Sequence, residues 1–230
     1  ARFAGISVGY LQLLGDAAPE ALLQGDRVYQ DGTLPEVIYP ALVESEGLEQ
    51  LEATGLSYHY PDSQAGVKDV DLHLARGTLT VIVGRVGAGK TTLLRVLLGL
   101  LARQEGQIRW NGQAVADPGA FFQPPRSAYT PQVPRLFSDT LRSNILLGLA
   151  ADDAQLMEAI HRAVLDPDLA ALEAGLETRV GPRGVKLSGG QMQRAAAARM
   201  FVRRPELLVF DDLSSALDVE TERLLWVRLL

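Results

Sequence analysis

The sequence predicts an α/β fold with an antiparallel β portion in front of the core, and three observations lead to this prediction. Residues Leu48–Tyr60 and Val67–Leu74 alternate apolar and polar side chains, as half-buried strands do. Two short apolar runs, Thr78–Val83 and Leu207–Phe210, have the composition of strands buried on both faces of a sheet. Apolar-rich stretches with helical spacing lie between and after these runs, at residues 91–101, 154–165 and 191–202. Strands mixed with helices in this way are typical of an α/β domain.

The first 47 residues differ in character from the rest of the chain. A weak helical stretch near the N-terminus is followed by a segment interrupted at Gly25, Gly32, Pro35 and Pro40. Such punctuation is typical of a helix followed by a linker. We therefore expect residues 48–230 to form the folded domain and residues 1–47 to lead into it.

Composition limits the classes of function. The 230 residues carry a net charge of −6, which gives no electrostatic reason to expect nucleic-acid binding. The sequence contains no cysteine, so it has neither a disulfide framework nor a cysteine-based metal site. No apolar run reaches the roughly 18 residues that a membrane-spanning helix needs. The lysines are Lys68, Lys90 and Lys186, so a lysine required for chemistry must be one of these.

The first motif with a chemical meaning directly follows the predicted strand at Thr78–Val83. It has the form G-x-x-x-x-G-K-[ST] and comprises Gly84, Arg85, Val86, Gly87, Ala88, Gly89, Lys90 and Thr91, with Thr92 next in the predicted helix. The glycines let the backbone curl so that successive N–H groups face phosphate oxygens, and the helix presents its positive end to them. Lys90 supplies a charge for the terminal phosphates, and the Thr91 hydroxyl is a ligand for Mg²⁺. This P-loop therefore predicts a nucleotide phosphate site.

Two carboxylates end the second apolar run. Asp211 and Asp212 directly follow Leu207–Phe210, and the carboxyl ends of strands are where α/β sheets bind ligands. We expect Asp211 to bind Mg²⁺, directly or through water, opposite Thr91. Asp212 stands where a carboxylate can polarise the attacking water. The alternative is a strand that simply ends in solvated acids, and the presence of the P-loop argues against it.

A third motif points to a family. Residues 187–191 read Leu-Ser-Gly-Gly-Gln, which resembles the signature motif of ATP-binding cassette (ABC) proteins. Tyr60 resembles the aromatic residue of that family that stacks on adenine, and Gln132 resembles the glutamine that joins the γ-phosphate site to the transmembrane partner. Residues 215–218 resemble the loop that crosses to the other subunit. The resemblance covers residues 48–230 and implies a P-loop NTPase core, an antiparallel β subdomain and a helical subdomain bearing the LSGGQ motif.

The resemblance also implies how such a site works. Two cassettes form a head-to-tail dimer, and ATP with Mg²⁺ lies between the P-loop of one and the LSGGQ segment of the other. Nucleotide contacts are thus expected from the P-loop, Thr92 and Tyr60, and from Ser188, Gly189, Gly190 and Gln191. The residues implied in catalysis are Lys90, Gln132, Ser188 and Asp212, and those implied in metal binding are Thr91, Gln132 and Asp211.

The residues themselves support a second anion site. Ser188, Gly189 and Gly190 precede a helical stretch, so their backbone groups lie at a positive helix end. A plain helix cap is the alternative interpretation of Ser188, but a cap would need neither the glycines nor the following glutamine. Two separate anion cradles in one chain are sensible if they belong to two shared sites.

Three features resemble exporters within the family. Residues 136–145 follow Gln132 with an exporter-like pattern. Residues 178–184 are similar to the exporter loop that contacts the coupling helices, although Arg179 and Pro182 replace its usual acidic residues. Residues 1–47 resemble the end of a last membrane helix with its linker. The resemblance therefore implies the ATPase motor of an exporter, with a transmembrane domain upstream in the same chain, at the cytoplasmic face of the inner membrane.

Two alternative functions stay open at this point. One is a soluble cassette protein of DNA repair or translation, but such proteins usually carry a coiled-coil insertion or a second cassette. A basic face would also be expected of them, whereas the charge is −6. The other is a regulatory half that binds ATP with little hydrolysis of its own.

Asp212 departs from the family pattern, which has a glutamate. Aspartate is one methylene shorter, so its carboxylate would lie roughly 1 Å from the required position, an error that can cost about a hundredfold in rate. An altered carboxylate beside an intact LSGGQ resembles the slow site of heterodimeric exporters, and a homodimer in which Asp212 suffices is the alternative.

The family also has a histidine that contacts the γ-phosphate at a position beyond Leu230. We therefore expect the present chain to bind nucleotide but to hydrolyse it poorly.

Overall fold

The fold is described from a computed structural model. It describes residues 47–229 apart from 62, 64, 183 and 214. The predicted N-terminal helix and linker at residues 1–47 lie outside the described residues, with the exception of Gly47. The described residues all fall in one compact unit of the chain.

An antiparallel sheet forms the first part of the fold, as the sequence predicts. Its strands are β1 (Gln50–His59), β2 (Gly66–Ala75), β3 (Glu105–Trp110) and β4 (Gln113–Ala114), in the order β2-β1-β3-β4. The central strand β1 pairs with β2 through Leu51 and Leu74 and with β3 through Ala53 and Ile108. The alternation of side chains predicted β1 and β2, whereas β3 and β4 were not predicted.

The expectation of a strand at Thr78–Val83 is wrong for this structure. Residues 78–85 have no regular secondary structure, and no described residue pairs with them in a β ladder. Ile82 contacts a hydrophobic cluster, but Leu79, Val81 and Val83 are 52%, 69% and 84% exposed. An apolar run is buried on both faces only where neighbouring strands pair with it and other elements cover both faces. Among the described residues, the hydrophobic cluster covers Ile82, while Leu79, Val81 and Val83 stay exposed.

A two-stranded parallel sheet positions the acidic residues. Strands β5 (Ser127–Thr130) and β6 (Leu207–Phe210) pair residue by residue from Ser127 with Leu207 to Thr130 with Phe210. Their carboxyl ends therefore lie at the same edge. The predicted strand at Leu207–Phe210 is confirmed, although it is less buried than expected because only Val209 is fully covered.

Helices supply the rest of the described fold. They are α1 (Lys90–Leu97), α2 (Pro118–Phe121), α3 (Leu141–Leu146), α4 (Asp153–Arg162), α5 (Asp166–Ala171), α6 (Gly189–Phe201) and α7 (Val219–Leu229). Helix α1 ends four residues before the predicted Leu101. Gly99 adopts a φ of 70°, and the N–H of Leu100 donates to the carbonyl of Arg95 at 2.8 Å, which closes the helix.

Two hydrophobic clusters stabilise these elements. One packs the helical part around Ile145, Leu156, Ile160 and Leu225, all fully buried. The other joins the antiparallel sheet to α1 and includes β1, β3 and Val209 of β6. The second cluster therefore fixes α1, which follows the P-loop, relative to β6, which Asp211 directly follows.

No helix within the described residues combines the length and apolar character needed to cross a membrane.

Candidate nucleotide site

The P-loop folds around its own lysine. The N–H of Ala88 donates to the carbonyl of Arg85 at 3.1 Å, which closes a turn in the loop. The Lys90 ammonium donates to the carbonyls of Gly84 and Arg85 at 2.9 and 3.1 Å. The loop residues from Gly84 to Ala88 are exposed. The lysine charge is thus held at the centre of an open loop.

Position 89 requires glycine, because of both its backbone conformation and the little space around it. Its φ is 90°, in the left-handed region, and a Cβ there would lie 2.7 Å from the carbonyl oxygen of Gly66 on β2. Gly89 is also the N-cap of α1, and no side chain caps this helix end. The first N–H groups of α1 thus keep their capacity to bind an acceptor, and the helix dipole favours an anion there.

Thr91 and Asp211 meet beside this loop. The Thr91 hydroxyl donates to Oδ1 of Asp211 at 3.0 Å, and the Asp211 residue is only 7% exposed. The two oxygen donors suit a hard divalent cation such as Mg²⁺, which prefers carboxylate and hydroxyl oxygens. The position of Asp211 opposite Thr91 is the one that the sequence predicts.

Tyr129, at the carboxyl half of β5, is a neighbour that sequence reasoning missed as a site residue. Its hydroxyl donates to Oδ2 of Asp211 at 3.3 Å, so both carboxylate oxygens have a partner. Burial raises the pKa of Tyr129, so the phenol stays protonated and remains a donor at neutral pH. The hydrogen bond between Tyr129 and Arg95 in turn raises the pKa of Arg95. Tyr129 stands three residues before Gln132 in the sequence, and no local pattern indicates its contact with the distant Asp211.

Tyr60 follows β1 directly and lies against α1. Its hydroxyl is 3.3 Å from the Thr92 hydroxyl, and its ring meets that of Tyr58 edge-on with centroids 5.1 Å apart. Thr92 is buried, in contrast to the exposed P-loop residues 84–88. The structure therefore places Tyr60, a half-buried residue, beside the helix that follows the P-loop.

Asp212 and Gln132 meet at the shared carboxyl edge of β5 and β6. The Gln132 amide donates to Oδ2 of Asp212 at 3.3 Å. Asp212 is exposed and has a φ of 60°, an uncommon conformation for a residue with a side chain. Strain of this kind is frequent at functional sites, where the surrounding structure enforces it.

Ser188 is the N-cap of α6. Its hydroxyl oxygen accepts from the N–H of Gln191 at 3.2 Å, and Oε1 of Gln191 accepts from the N–H of Ser188 at 2.8 Å. This is a complete capping box. A helix cap here does need the glutamine, contrary to the sequence-based expectation, because Gln191 is half of the capping box.

The capping box leaves a defined set of donors. It uses the N–H groups of Ser188 and Gln191, while the amides of Gly189 and Gly190 start the helix without intrahelical acceptors. The Ser188 oxygen accepts in the cap, so its own hydroxyl proton is available for donation. The hydroxyl and two glycine amides together suit an anion.

Gln193 is a second residue that sequence reasoning missed. It is 4% exposed on α6, and its side chain donates to the Ser215 hydroxyl at 3.1 Å and accepts from the N–H of Ala216 at 3.2 Å. It also lies 3.4 Å from the carbonyl of Asp212. One buried amide thus connects the LSGGQ helix with the segment after β6. No local pattern in the sequence indicates such a long-range contact.

The structure brings some predicted residues together and keeps others apart. Thr91 with Asp211, and Gln132 with Asp212, form pairs at one edge. In the described part of the chain, no hydrogen bond joins residues 188–191 to the P-loop. The two segments that resemble exporters do meet, because Thr140 bridges Arg179 and the N–H of Val180 donates to the carbonyl of Asp139 at 2.9 Å.

Comparison with known proteins gives consistent matches. A family model described as ABC transporter matches residues 67–215, from β2 to the segment after β6. A probable multidrug resistance ABC transporter ATP-binding/permease protein, YheI of Bacillus subtilis (strain 168), is 38% identical over 169 residues, which is 73% of this chain and 29% of YheI. ATP-binding cassette sub-family B member 6 of Mesocricetus auratus is 35% identical over 175 residues, 76% of this chain and 21% of that protein.

A solved structure extends the match to the fold. The structure of a bacterial Atm1-family ABC exporter with ATP bound aligns with a TM-score of 0.73 and 34% identity, over 83% of this chain and 33% of that chain. The chain spans less than a third of the length of the two curated relatives named above. The family model covers more than half of the chain and includes the P-loop, the LSGGQ segment and β6 with the following Asp211. The chain therefore belongs to the ABC transporter family, as an ATP-binding domain of that family.

Proposed function

We propose that this chain is the ATP-binding and ATP-hydrolysing motor domain of an ABC exporter, and that it works as one of two cassettes. The observation that carries the proposal is the meeting of Thr91 and Asp211 at 3.0 Å beside an uncapped helix end. A loop with a central lysine, free helix amides and paired oxygen donors together suits a nucleotide with its metal ion.

The P-loop residues have distinct roles in this proposal. Lys90 exchanges its loop carbonyls for the β- and γ-phosphate oxygens, since its ammonium is a flexible point charge with three donors. The backbone amides of residues 84–91 hold the remaining phosphate oxygens. Thr91 and Asp211 would hold Mg²⁺, which when bound neutralises charge on the phosphates. Tyr129 orients the Asp211 carboxylate by donating to its second oxygen.

Hydrolysis then depends on Asp212 and Gln132. Their side chains meet at 3.3 Å, where together they can orient a water molecule toward the γ-phosphate. Because the carboxylate of Asp212 is one methylene shorter than that of glutamate, we propose that this site turns over slowly. This favours a heterodimeric transporter in which Ser188 of this chain serves a faster site on its partner.

The second cassette completes each site. The Ser188 hydroxyl and the amides of Gly189 and Gly190 are directed to the γ-phosphate of an ATP held by the P-loop of the other cassette. The lack of a hydrogen bond between residues 188–191 and the P-loop within the described part of this chain supports a contact across a dimer. Stabilisation of the transferred phosphate is then electrostatic, from Lys90 on one side and Ser188 on the other.

Export is supported by the names of the relatives. YheI is a probable multidrug resistance transporter, and the solved structure is that of an exporter. We propose a transmembrane domain in the same protein and a position at the cytoplasmic face of the membrane. The groove of about 640 Å³ beside Phe137, Asp139 and Arg142 lies next to the two joined exporter-like segments and suits a segment of that membrane domain.

The proposal is tested with the full-length transporter that contains this chain. MgATP turnover is compared between the unsubstituted protein and its Asp212→Glu variant, with Asp212→Asn as the variant that removes the charge. We expect slow turnover in the parent, about a tenfold or greater rise with glutamate and a further loss with asparagine. Brisk turnover that neither substitution changes would overturn the slow-site part and leave a self-sufficient motor. No MgATP turnover by any of the three proteins would contradict the ATPase proposal itself.

A further inference from the structure

Asp168 connects helix α5 to helix α6, which begins within the LSGGQ segment. It lies on α5 and is far from the P-loop along the chain, yet its Oδ1 accepts from the Gln191 side-chain amide at 3.1 Å. Its Oδ2 accepts from Nε of Arg194 at 2.8 Å and lies 2.7 Å from a second nitrogen of the same guanidinium. Both carboxylate oxygens are therefore used by residues of the first turns of α6.

This ion pair is more enclosed than the others near it. The side chains of Arg194 and Asp168 are 13% and 16% exposed, whereas the nearby pair of Arg228 and Asp166 is 18% and 35% exposed. Contacts to ionised partners are the strong hydrogen bonds of proteins, and loss of solvent strengthens them further. The Asp168 contacts are thus suited to hold a side chain in one orientation.

The side chain that Asp168 holds in one orientation is the amide of Gln191. A carboxylate only accepts hydrogen bonds, so it must face the NH₂ end of Gln191. Oε1 of Gln191 is then turned to the Ser188 N–H, which it binds at 2.8 Å. A continuous chain of contacts runs from Arg194 through Asp168 and Gln191 to Ser188.

We propose that Asp168 is a positioning residue for the ATP contact of the LSGGQ segment. By fixing Gln191, it keeps the capping box closed, so that the Ser188 hydroxyl proton and the amides of Gly189 and Gly190 are the donors left for a phosphate. Without Asp168, the Gln191 amide can rotate, and its NH₂ group then meets the Ser188 N–H, donor against donor. This inference rests on the proposed function, because it assigns Asp168 to the γ-phosphate contact made across the two cassettes.

The test separates the two anion cradles by choice of nucleotide. ADP lacks the γ-phosphate, so its binding reports the P-loop, whereas closure of two cassettes by ATP also needs the LSGGQ donors. In the full-length transporter, ADP affinity is measured by equilibrium binding. ATP-driven closure is followed by the distance between nitroxide labels on the two cassettes.

The Asp168→Asn variant keeps the shape of the side chain and removes its charge. We expect the ATP concentration for half-maximal closure to rise about tenfold, while ADP affinity stays within about twofold. Asp166→Asn is the matched control, since Asp166 is on the same helix and pairs with Arg228 and His161, not with α6. It should leave ATP-driven closure within about twofold of the parent.

A rescue distinguishes positioning from general support of the helix. Gln191→Glu sets two carboxylates against each other and should weaken closure by ATP at least tenfold, by repulsion from Asp168. Adding Asp168→Asn to Gln191→Glu restores one donor facing one acceptor, and closure should return to within about threefold of the parent.

The outcomes are separable. Unchanged ATP-driven closure in Asp168→Asn, an equal loss in Asp166→Asn, or no rescue in the double variant would each overturn the role of Asp168. If the unsubstituted transporter itself shows no closure with ATP, the proposed function is overturned, and the inference with it.

Discussion

The Thr91 hydroxyl lies 3.0 Å from Oδ1 of Asp211, although the two residues are 120 positions apart in the chain. Thr91 belongs to the first turn of α1, and Asp211 directly follows β6. The cluster that packs α1 against the antiparallel sheet includes Val209 of the same strand. Packing of apolar residues thus brings together two polar groups that the sequence separates.

The first prediction concerns the Thr91 hydroxyl. Thr91→Val preserves shape but removes the donor to the buried Asp211 carboxylate, and the loss of one such partner typically costs 10–100-fold in metal affinity, by order of magnitude. We therefore expect the Mg²⁺ concentration that supports half-maximal ATP binding to rise by about 10–100-fold. Thr91→Ser, which keeps the hydroxyl, is the control and should remain close to the parent. Equal behaviour of the two variants would show that the hydroxyl has no such role.

The second prediction concerns Tyr129. Tyr129→Phe removes only the hydroxyl that donates to Oδ2 of Asp211. We expect the Mg²⁺ concentration for half-maximal ATP binding to rise about tenfold, because the metal binds more weakly. The affinity for ATP in the absence of metal should stay unchanged. Tyr58→Phe, on β1, is the matched control. A result in which Tyr129→Phe and Tyr58→Phe are alike would remove Tyr129 from the site.

The third prediction concerns packing of the LSGGQ helix. A Cβ on Gly190 would lie 2.8 Å from the carbonyl oxygen of Ala216, which is backbone and cannot rotate away. We expect Gly190→Ala to lower the free energy of unfolding by about 1–3 kcal/mol, as overpacking does, measured by denaturant unfolding. At Gly189 the Cβ would meet only the Ala216 methyl at 3.3 Å, so Gly189→Ala should cost less. If Gly189→Ala lowered the free energy of unfolding more than Gly190→Ala, that result would contradict the close approach of Gly190 to Ala216.

The fourth prediction is a pH dependence at Asp218. Hydrogen bonds from the backbone N–H and hydroxyl of Thr221 lower the pKa of Asp218 below its ordinary value of 3.8. A lowered pKa in the folded state gives stability that is present above the unfolded value and lost as pH falls through the folded value. Asp218→Asn should therefore be less stable than the parent at neutral pH, and the difference should shrink below pH 3.8. Unfolding midpoints in denaturant across this range measure it, and a difference that does not change with pH would contradict the assignment.

Parts of this fold and site follow from local sequence, and parts do not. The spacing of residues 84–91 predicts the P-loop, and alternation predicts β1 and β2, because both depend on neighbours in the chain. The run at Thr78–Val83 has the composition of a buried strand, but a strand also requires a ladder partner, which the described residues do not provide. Local pattern cannot indicate Gln193 or Tyr129, since each matters through contacts with residues distant in sequence.

The helix cap at Ser188 illustrates the same limit. The sequence motif predicts an anion site, and the structure adds that Gln191 closes a capping box and contacts Asp168. A motif fixes which residues are adjacent, whereas the orientation of an amide depends on the partner that tertiary structure supplies. The donors left over at Ser188, Gly189 and Gly190 emerge only when every hydrogen bond of the cap is assigned.

We propose that the P-loop binds a nucleotide through Lys90, and equilibrium binding of MgATP to the full-length protein measures this contribution. Lys90→Ala removes the charge at the centre of the loop, and Lys68→Ala removes an exposed lysine on β2 as the control. We predict measurable binding by the parent and by Lys68→Ala, and a loss of about a hundredfold or more in Lys90→Ala, because a charge-assisted contact with phosphate is worth several kcal/mol in total. MgATP binding that is unaffected by Lys90→Ala, or absent from the parent, would contradict this role of the P-loop lysine.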